Sequence, residues 1–367
     1  MRYYIIAGEP SGDLHGAKLI AGLRKADPNA EFRFWGGDKM AETSGISPFR
    51  HYKEGAVMGF WEVFKKLGSI LSSIAICKSD IINYNPDVLI LIDYPGFNLQ
   101  IAKFAHDKGI KVHYYIAPKV WAWKEHRVKT LRRYVDELFV IFPFEIDYFK
   151  KRGIEVHYFG NPLMDSIKER NSQGVNSFDA AKPMIALVAG SRKMEIEYNL
   201  PYMVQVAQAM PEYQFVVTAV SWLDKKLYDK YLVDSNVTYV VDKTYDVICR
   251  SQAALVTSGT ATLETALLDI PQVVCYRASA ISVWIARRFV KLSWVSLVNL
   301  IMNREVVKEL LQDDFTVNNA ISELKSVLPR GEKQEQMKND YIQLQNIVGK
   351  PGASERVAQK IYEIIKR

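Results

Sequence analysis

Cysteine is scarce: Cys77, Cys249 and Cys275 are the only three in 367 residues, and they have no paired spacing. Such usage fits a reducing compartment and offers neither a disulfide frame nor a thiolate metal site. No run of about 18 apolar residues occurs, so no membrane-spanning helix is expected. The opening M-R-Y-Y-I-I-A reads as a strand, too short and too soon broken for a signal peptide. A cytoplasmic address is expected, with attachment to a membrane surface left open. Neither G-x-G-x-x-G nor the P-loop with its lysine is present, which argues against a nicotinamide dehydrogenase or a P-loop ATPase. Asp-x-Asp is absent, and His113, His126 and His157 lack metal-ligand spacing. A nucleotide-sugar enzyme built this way would hold its leaving group with protein cations and helix dipoles rather than a metal. No metal and no cofactor are expected.

What is present is a soluble globular composition, 49% apolar and 24% charged, with a net charge of +7. That surplus suggests an acidic partner: nucleic acid, a phosphorylated substrate or an anionic membrane. The length favours two domains. Apolar runs read as strands at 2–7, 32–35, 88–93, 112–117, 138–142 and 156–159, with helical stretches between most of them. The polar segment 171–183 reads as a linker, and the alternation restarts at 184–188, 215–219, 237–241, 253–256 and 273–276. The pattern is α/β: two Rossmann-like doubly wound parallel sheets facing each other across a cleft. The first domain is expected over 1–170 and the second over 184–350, with a last helix at 351–367 as a candidate to return to the first.

Five stretches carry chemistry. A-A-L-V-T-S-G-T-A-T-L-E (253–264) is a strand, a small-residue turn and a helix that Thr260 or Thr262 is expected to cap. Such a corner suits an anion at Ser258, Gly259 and Thr260, with Glu264 one turn on for a sugar hydroxyl. It is also an ordinary strand–turn–helix corner. Gly190, Ser191 and Arg192 end another strand before a helix expected from Glu195, putting a permanent cation where it could meet a diphosphate. Glu9, Ser11, Gly12 and Asp13 follow the first strand, as polar cleft groups or as a capped helix start. Asp93 ends L-I-L-I-D, where partial burial would raise its pKa toward that of a base; the alternative is a turn or cap residue. Tyr114–Arg127 is expected to leave a strand and enter a helix carrying Trp121, Lys124 and Arg127, either as sugar and phosphate contacts or as a packed helix with a basic face.

Two apolar stretches resemble a membrane surface or an acyl-chain groove, and both also fit core packing. The first carries Val57, Met58, Phe60, Trp61, Phe64, Leu67 and Leu71; the second, 282–300, mixes Trp284, Phe289 and Trp294 with Arg287, Arg288 and Lys291.

Nine motifs in order then resemble the lipid-A-disaccharide synthase family of inverting glycosyltransferases, over essentially the whole chain. They are A-G-E-P-S-G-D (7–13), M-G-F-W-E-V (58–63), I-D-Y-P-G-F-N (92–98), A-P-K-V-W-A-W (117–123), F-P-F-E (142–145), F-G-N-P-L (159–163), G-S-R-x-x-E-I (190–196), S-G-T-A-T-L-E (258–264) and N-R-E-V-V-x-E-L-L-Q (303–312). Pro10, Lys119 and Val298 depart from the common family form. The resemblance implies a GT-B fold and a metal-independent inverting displacement. The partners it implies are UDP-2,3-diacylglucosamine, 2,3-diacylglucosamine 1-phosphate and the anionic inner-membrane surface, without nucleic acid. It implies Asp93 as the base, and UDP-sugar contacts from Gly190, Ser191, Arg192, Ser258, Gly259, Thr260, Thr262 and Glu264. Asn299, Glu305 and Gln312 are further candidates for the donor sugar or uracil. Lys124, Arg127, Arg132 and Arg133 are candidates for the acceptor phosphate from charge alone. A UDP-sugar 2-epimerase-like enzyme and a nucleotide-dependent membrane-docking protein are the other readings.

Overall fold

Strands that are apolar along their whole length need cover on both faces, and here helices supply it. The structure is a computed structural model describing residues 1–55, 63–122, 124–172, 182–279, 283 and 293–367. It divides into two units, Met1–Asp165 with Gly349–Arg367, and Ser166–Val348. Among the described residues no helix is long and apolar enough to cross a membrane.

Unit 1 starts β1 (Arg2–Ala7), α1 (Pro10–Ala26), β2 (Glu31–Gly36), α2 (Asp38–Ser44), β3 (Arg50–His51) and α3 (Val63–Tyr84). It continues β4 (Val88–Ile92), α4 (Pro95–Asp107), β5 (Lys111–Tyr115), α5 (Arg127–Tyr134), β6 (Glu137–Val140), α6 (Phe144–Lys150) and β7 (His157–Tyr158). α7 (Leu163–Ser172) runs across the division in the chain. The seven strands form one sheet in the order β3-β2-β1-β4-β5-β6-β7, and every pairing is parallel. Alternation along the strands splits the core in two. Tyr4, Ile6, Leu89 and Leu91 pack with Ile74 and Cys77 of α3 and Leu99 and Ile101 of α4. Tyr3, Ile5, Ile90 and Ile92 pack with Leu19, Ile20 and Leu23 of α1. That second layer is completed by α15 (Ala353–Lys366), whose Val357, Ala358 and Ile361 join it. A side chain at Gly22 would meet the Ala358 side chain at 2.7 Å, so the glycine sets how closely α1 and α15 approach.

Unit 2 runs β8 (Met184–Val188), α8 (Lys193–Ala209), β9 (Gln214–Ala219), α9 (Lys225–Leu232), β10 (Val237–Val241), α10 (Thr244–Arg250), β11 (Ala253–Thr257) and α11 (Thr260–Leu267). It ends β12 (Gln272–Tyr276), α12 (Leu297–Met302), β13 (Glu309–Leu311), α13 (Val317–Val327) and α14 (Gln334–Val348). Its parallel sheet has the order β10-β9-β8-β11-β12-β13. Both sheets are therefore doubly wound, with the strand order reversing between β1 and β4 in unit 1 and between β8 and β11 in unit 2. In open α/β sheets ligands bind beyond the carboxyl ends of the strands at that reversal.

The stretch after β5 departs from the expected helix. Ile116 and Lys124 take φ of +63° and +57°, a left-handed backbone that a helix cannot continue through. The helix begins only at Arg127. Val57, Met58, Phe60 and Trp61 lie outside the described residues, as do the side chains of Phe64 and Leu67. Leu71 on α3 is 62% exposed. Residues 173–181 of the 171–183 segment, and 282 and 284–292 of the 282–300 stretch, also lie outside the described residues.

Candidate active site

The unit 1 reversal brings together the loops after β1 and β4. Asp93 follows the last residue of β4 with φ +43°, and Tyr94 follows with φ +48°. Two consecutive left-handed non-glycine residues are costly and persist only where neighbours hold them. The Asn98 side-chain amide donates to the Asp93 carbonyl at 2.7 Å and to the Ile92 carbonyl at 3.2 Å. The Tyr114 hydroxyl donates to the Asp93 carbonyl at 2.5 Å. The Asp93 peptide is thus braced through its carbonyl oxygen. Burial pushes its pKa up, while the charge of Lys119 and a backbone N–H pull it down. A raised carboxylate pKa suits a proton acceptor. Tyr94 packs its ring where a side chain at Gly8 would stand, which joins the two loops. Burial and the nearby Glu9 carboxylate raise the Tyr94 phenol.

The other expected acceptor residues divide. Glu9 and Ser11 are exposed at the start of α1. Gly12 is buried, with Ala7 3.3 Å from where its Cβ would lie. Asp13, expected at the cleft, is 2% exposed and accepts the N–H groups of Gly37, Lys39 and Met40 at 2.7, 3.0 and 3.2 Å. It anchors the start of α2, because those first N–H groups have no acceptor within the helix. Trp121 donates its indole N–H to Glu145 at 2.9 Å and meets Phe144 edge to face. Glu145 is fully buried and also accepts from Ile141 and Phe142 main-chain N–H groups. Burial pushes its pKa to about 7, against three N–H donors and Lys119 that favour the ionised form. Lys119 is therefore a cation acting on both Asp93 and Glu145. Lys124 is exposed, and Arg127 opens α5, which carries Lys129, Arg132 and Arg133 onward.

The unit 2 reversal joins the loops after β8 and β11. Gly190 takes φ +113°, and any side chain there would strike Glu195. Glu195 closes the loop by accepting the N–H groups of Ser191 at 2.9 Å and Arg192 at 3.2 Å. Its other oxygen holds the Arg192 guanidinium at 2.8 Å in a capping box at the start of α8. The Arg192 side chain is still 79% exposed. Across the reversal, Gly259 at φ +155° is the residue before α11, and among the described residues no atom lies within 4 Å of where its Cβ would be. Neither threonine caps the helix as expected. Thr260 lies inside it, and the Thr262 hydroxyl donates backward to the Gly259 carbonyl at 2.8 Å. Among the described residues no side chain caps the first N–H groups of α11, at the positive end of the helix, and the Thr262 N–H turns back to the Gly259 carbonyl at 3.3 Å. The Thr257 hydroxyl just before them is buried with no partner among the described residues. Glu264 accepts the Tyr245 hydroxyl at 3.0 Å, and burial raises its pKa.

The Ser258 hydroxyl donates to the Val295 carbonyl at 3.0 Å, so the segment before α12 borders this corner. Glu309 holds that segment through the N–H groups of Val295 and Ser296. Asn299, expected near the donor sugar, is fully buried with both side-chain ends bonded. Its oxygen accepts from Val306 and Val307, and its amide donates to Val307 and Glu309. It fixes the turn before β13. Glu305 is exposed beside Lys308. Gln312 follows β13 with φ +52°. Among the described residues no group of His, Cys, Asp and Glu is placed to hold a metal ion.

A model of the family described as lipid-A-disaccharide synthetase matches residues 3–361. The lipid-A-disaccharide synthase of Syntrophus aciditrophicus is 35% identical over 374 residues, covering 99% of this chain and 97% of that relative. The chain belongs to the lipid-A-disaccharide synthetase family. The synthase of Geobacter sulfurreducens matches with the same 35% identity and the same coverage, 99% and 97%. Among solved structures, the UDP-GlcNAc 2-epimerase of Neisseria meningitidis bound to UDP-GlcNAc superposes with TM-score 0.69 at 14% identity, over 99% of this chain and 100% of that one. The S. aureus MnaA–UDP structure gives 0.68 at 14% identity, over 100% and 97%. These likenesses show the fold alone. Within the synthetase family motifs, Glu145 and Glu195 are the residues whose placement sequence reasoning missed. Both stand in quoted motifs, F-P-F-E and G-S-R-x-x-E-I, and an acid at the third position of a helix was the available signal for Glu195.

Proposed function

We propose that this chain transfers 2,3-diacylglucosamine from its UDP derivative to the 6-hydroxyl of 2,3-diacylglucosamine 1-phosphate. Family membership makes it a glycosyltransferase. The acceptor oxygen attacks the anomeric carbon as the bond from that carbon to the diphosphate oxygen breaks. Asp93 takes the hydroxyl proton, and UDP leaves with the electron pair. One displacement inverts the anomeric centre and gives a β-1,6 link with UDP as co-product. On the donor side, the α11 N-terminus and Arg192 balance the charge that grows on the leaving diphosphate. Arg192 shares its guanidinium between Glu195 and that diphosphate. Glu264, which takes one hydrogen bond from Tyr245, offers its remaining acceptor capacity to the ribose hydroxyls.

One observation carries the assignment of the base: Asp93 stands at the unit 1 reversal on a braced left-handed peptide, with its pKa raised by burial. The epimerase reading has only the fold in its favour. The test is incubation with UDP-2,3-diacylglucosamine, with and without the monosaccharide 1-phosphate, followed by mass spectrometry of the lipids. A disaccharide 1-phosphate that forms only when both are present is expected. Asp93→Asn should lower turnover by roughly 10²- to 10⁴-fold at unchanged UDP affinity. Donor conversion without acceptor would overturn the transferase reading.

We further propose that the chain docks on the cytoplasmic face of an anionic membrane. The basic run of α5 and the apolar 57–71 stretch support this. Phe60, Trp61 and Phe64 replaced together by Ser should leave the folded protein in the supernatant when anionic vesicles are sedimented. Undiminished co-sedimentation would remove those residues from the docking surface.

A further inference from the structure

We propose that Trp222 is the stacking platform for the uracil ring of the nucleotide, an inference that rests on the UDP-sugar reading above. Trp222 stands in the loop after β9, the strand next to β8 in the sheet. Its indole N–H donates to the Ser191 carbonyl at 3.1 Å, within the loop proposed to meet the diphosphate. That bond satisfies the ring's only polar group and fixes its edge. The side chain is nonetheless 56% exposed, an unusual position for the largest apolar side chain. The preceding residue ties the same loop to the next strand, because the Ser221 N–H donates to the Asp242 carboxylate at 3.0 Å. Asp242 directly follows β10 and precedes α10.

The direction of the nucleotide follows from the other side of the corner. Glu264, the proposed ribose ligand, accepts the hydroxyl of Tyr245 on α10. The ribose therefore sits toward α10, and the base beyond it meets the loop after β9, where Ser221 is tied to Asp242 and Trp222 is the next residue. A flat ring held at its edge with its face open is what a base needs for stacking, and any base has a π-face to offer.

Titration calorimetry with UDP and with inorganic pyrophosphate tests this on the intact chain. Trp222→Ala should weaken UDP binding about 5- to 150-fold, the range for losing one base–aromatic stack. Pyrophosphate binding should be unchanged. Trp222→Phe, which keeps a ring but loses the bond to Ser191, should retain most of the UDP affinity. UDP binding by Trp222→Ala equal to that of the unaltered protein would overturn the proposal. So would an equal loss of pyrophosphate binding, or a Phe variant as weak as the Ala variant, since either makes Trp222 only a fastener of the Ser191 loop. Absence of UDP binding by the unaltered protein would overturn the UDP-sugar reading and the stack together.

Discussion

The Asn98 side-chain amide holds the main-chain oxygen of Asp93 at 2.7 Å. The proposed base is thus positioned through its backbone, and Asn98 acts without touching the acceptor. Asn98→Ala should lower kcat while leaving the donor KM unchanged. The loss expected from one buried hydrogen bond is about 1–3 kcal/mol, felt partly in stability and partly in turnover. The discriminating measurement is kcat in an Asp93→Asn background. There Asn98→Ala should have little further effect, because the two residues act as a unit. Full additivity would reduce Asn98 to a core residue.

If Asp93 is the base, Lys119 should set the acidic limb of activity. Burial raises the Asp93 pKa and the Lys119 charge opposes it. Asp93 accepts a proton only when ionised, so activity falls as pH drops through its pKa. Removing the cation with Lys119→Gln should raise that pKa and move the acidic limb of kcat/KM to higher pH. Added salt should shrink the difference, since Lys119 is exposed. An acidic limb at the same pH in both proteins would show that Lys119 does not act on the base.

Arg192, proposed to meet the donor diphosphate, lies within an ion pair. Its guanidinium lies 2.8 Å from Glu195, while most of its surface is open. Arg192→Ala should weaken UDP binding by about 10- to 150-fold, the usual range for a hydrogen bond to a charged group. Glu195→Gln keeps Arg192 but loosens the grip on the loop, and should weaken UDP binding less. Titration showing unchanged affinity for the Arg192 variant would remove the diphosphate contact.

The doubly wound architecture was legible because β1, β8 and β10 are short apolar runs with clear polar or helical flanks. β3 and β13 were not, being two and three residues long and lacking an apolar run. The helix expected across Trp121 failed because Ile116 and Lys124 adopt a backbone that only surrounding structure can impose. Asp93 could be read from its position at the end of L-I-L-I. Glu145 could not, because its partners are two main-chain N–H groups and the Trp121 indole, a contact that residue type does not reveal, whereas Glu195 left one mark, its place as the third residue of a helix. Asp13 and Asn299 show the reverse. A place after the first strand suggested a cleft contact for Asp13, and the family resemblance a donor contact for Asn299, yet both side chains are bonded to backbone inside their own unit.

Asp13 gives the sharpest separation of fold from chemistry in this corner. It is 2% exposed and takes three main-chain N–H groups at the start of α2. Removing the carboxylate leaves those donors buried without acceptors, at about 1–3 kcal/mol. Asp13→Ala should therefore lower the thermal midpoint clearly. Asp13→Asn should do so less, since its amide keeps one acceptor oxygen but turns N–H groups toward N–H donors. At a temperature where both variants remain folded, kcat and the acceptor KM should match those of the unaltered protein. Unchanged melting combined with a raised acceptor KM would return Asp13 to the acceptor site and move the anchoring of α2 elsewhere.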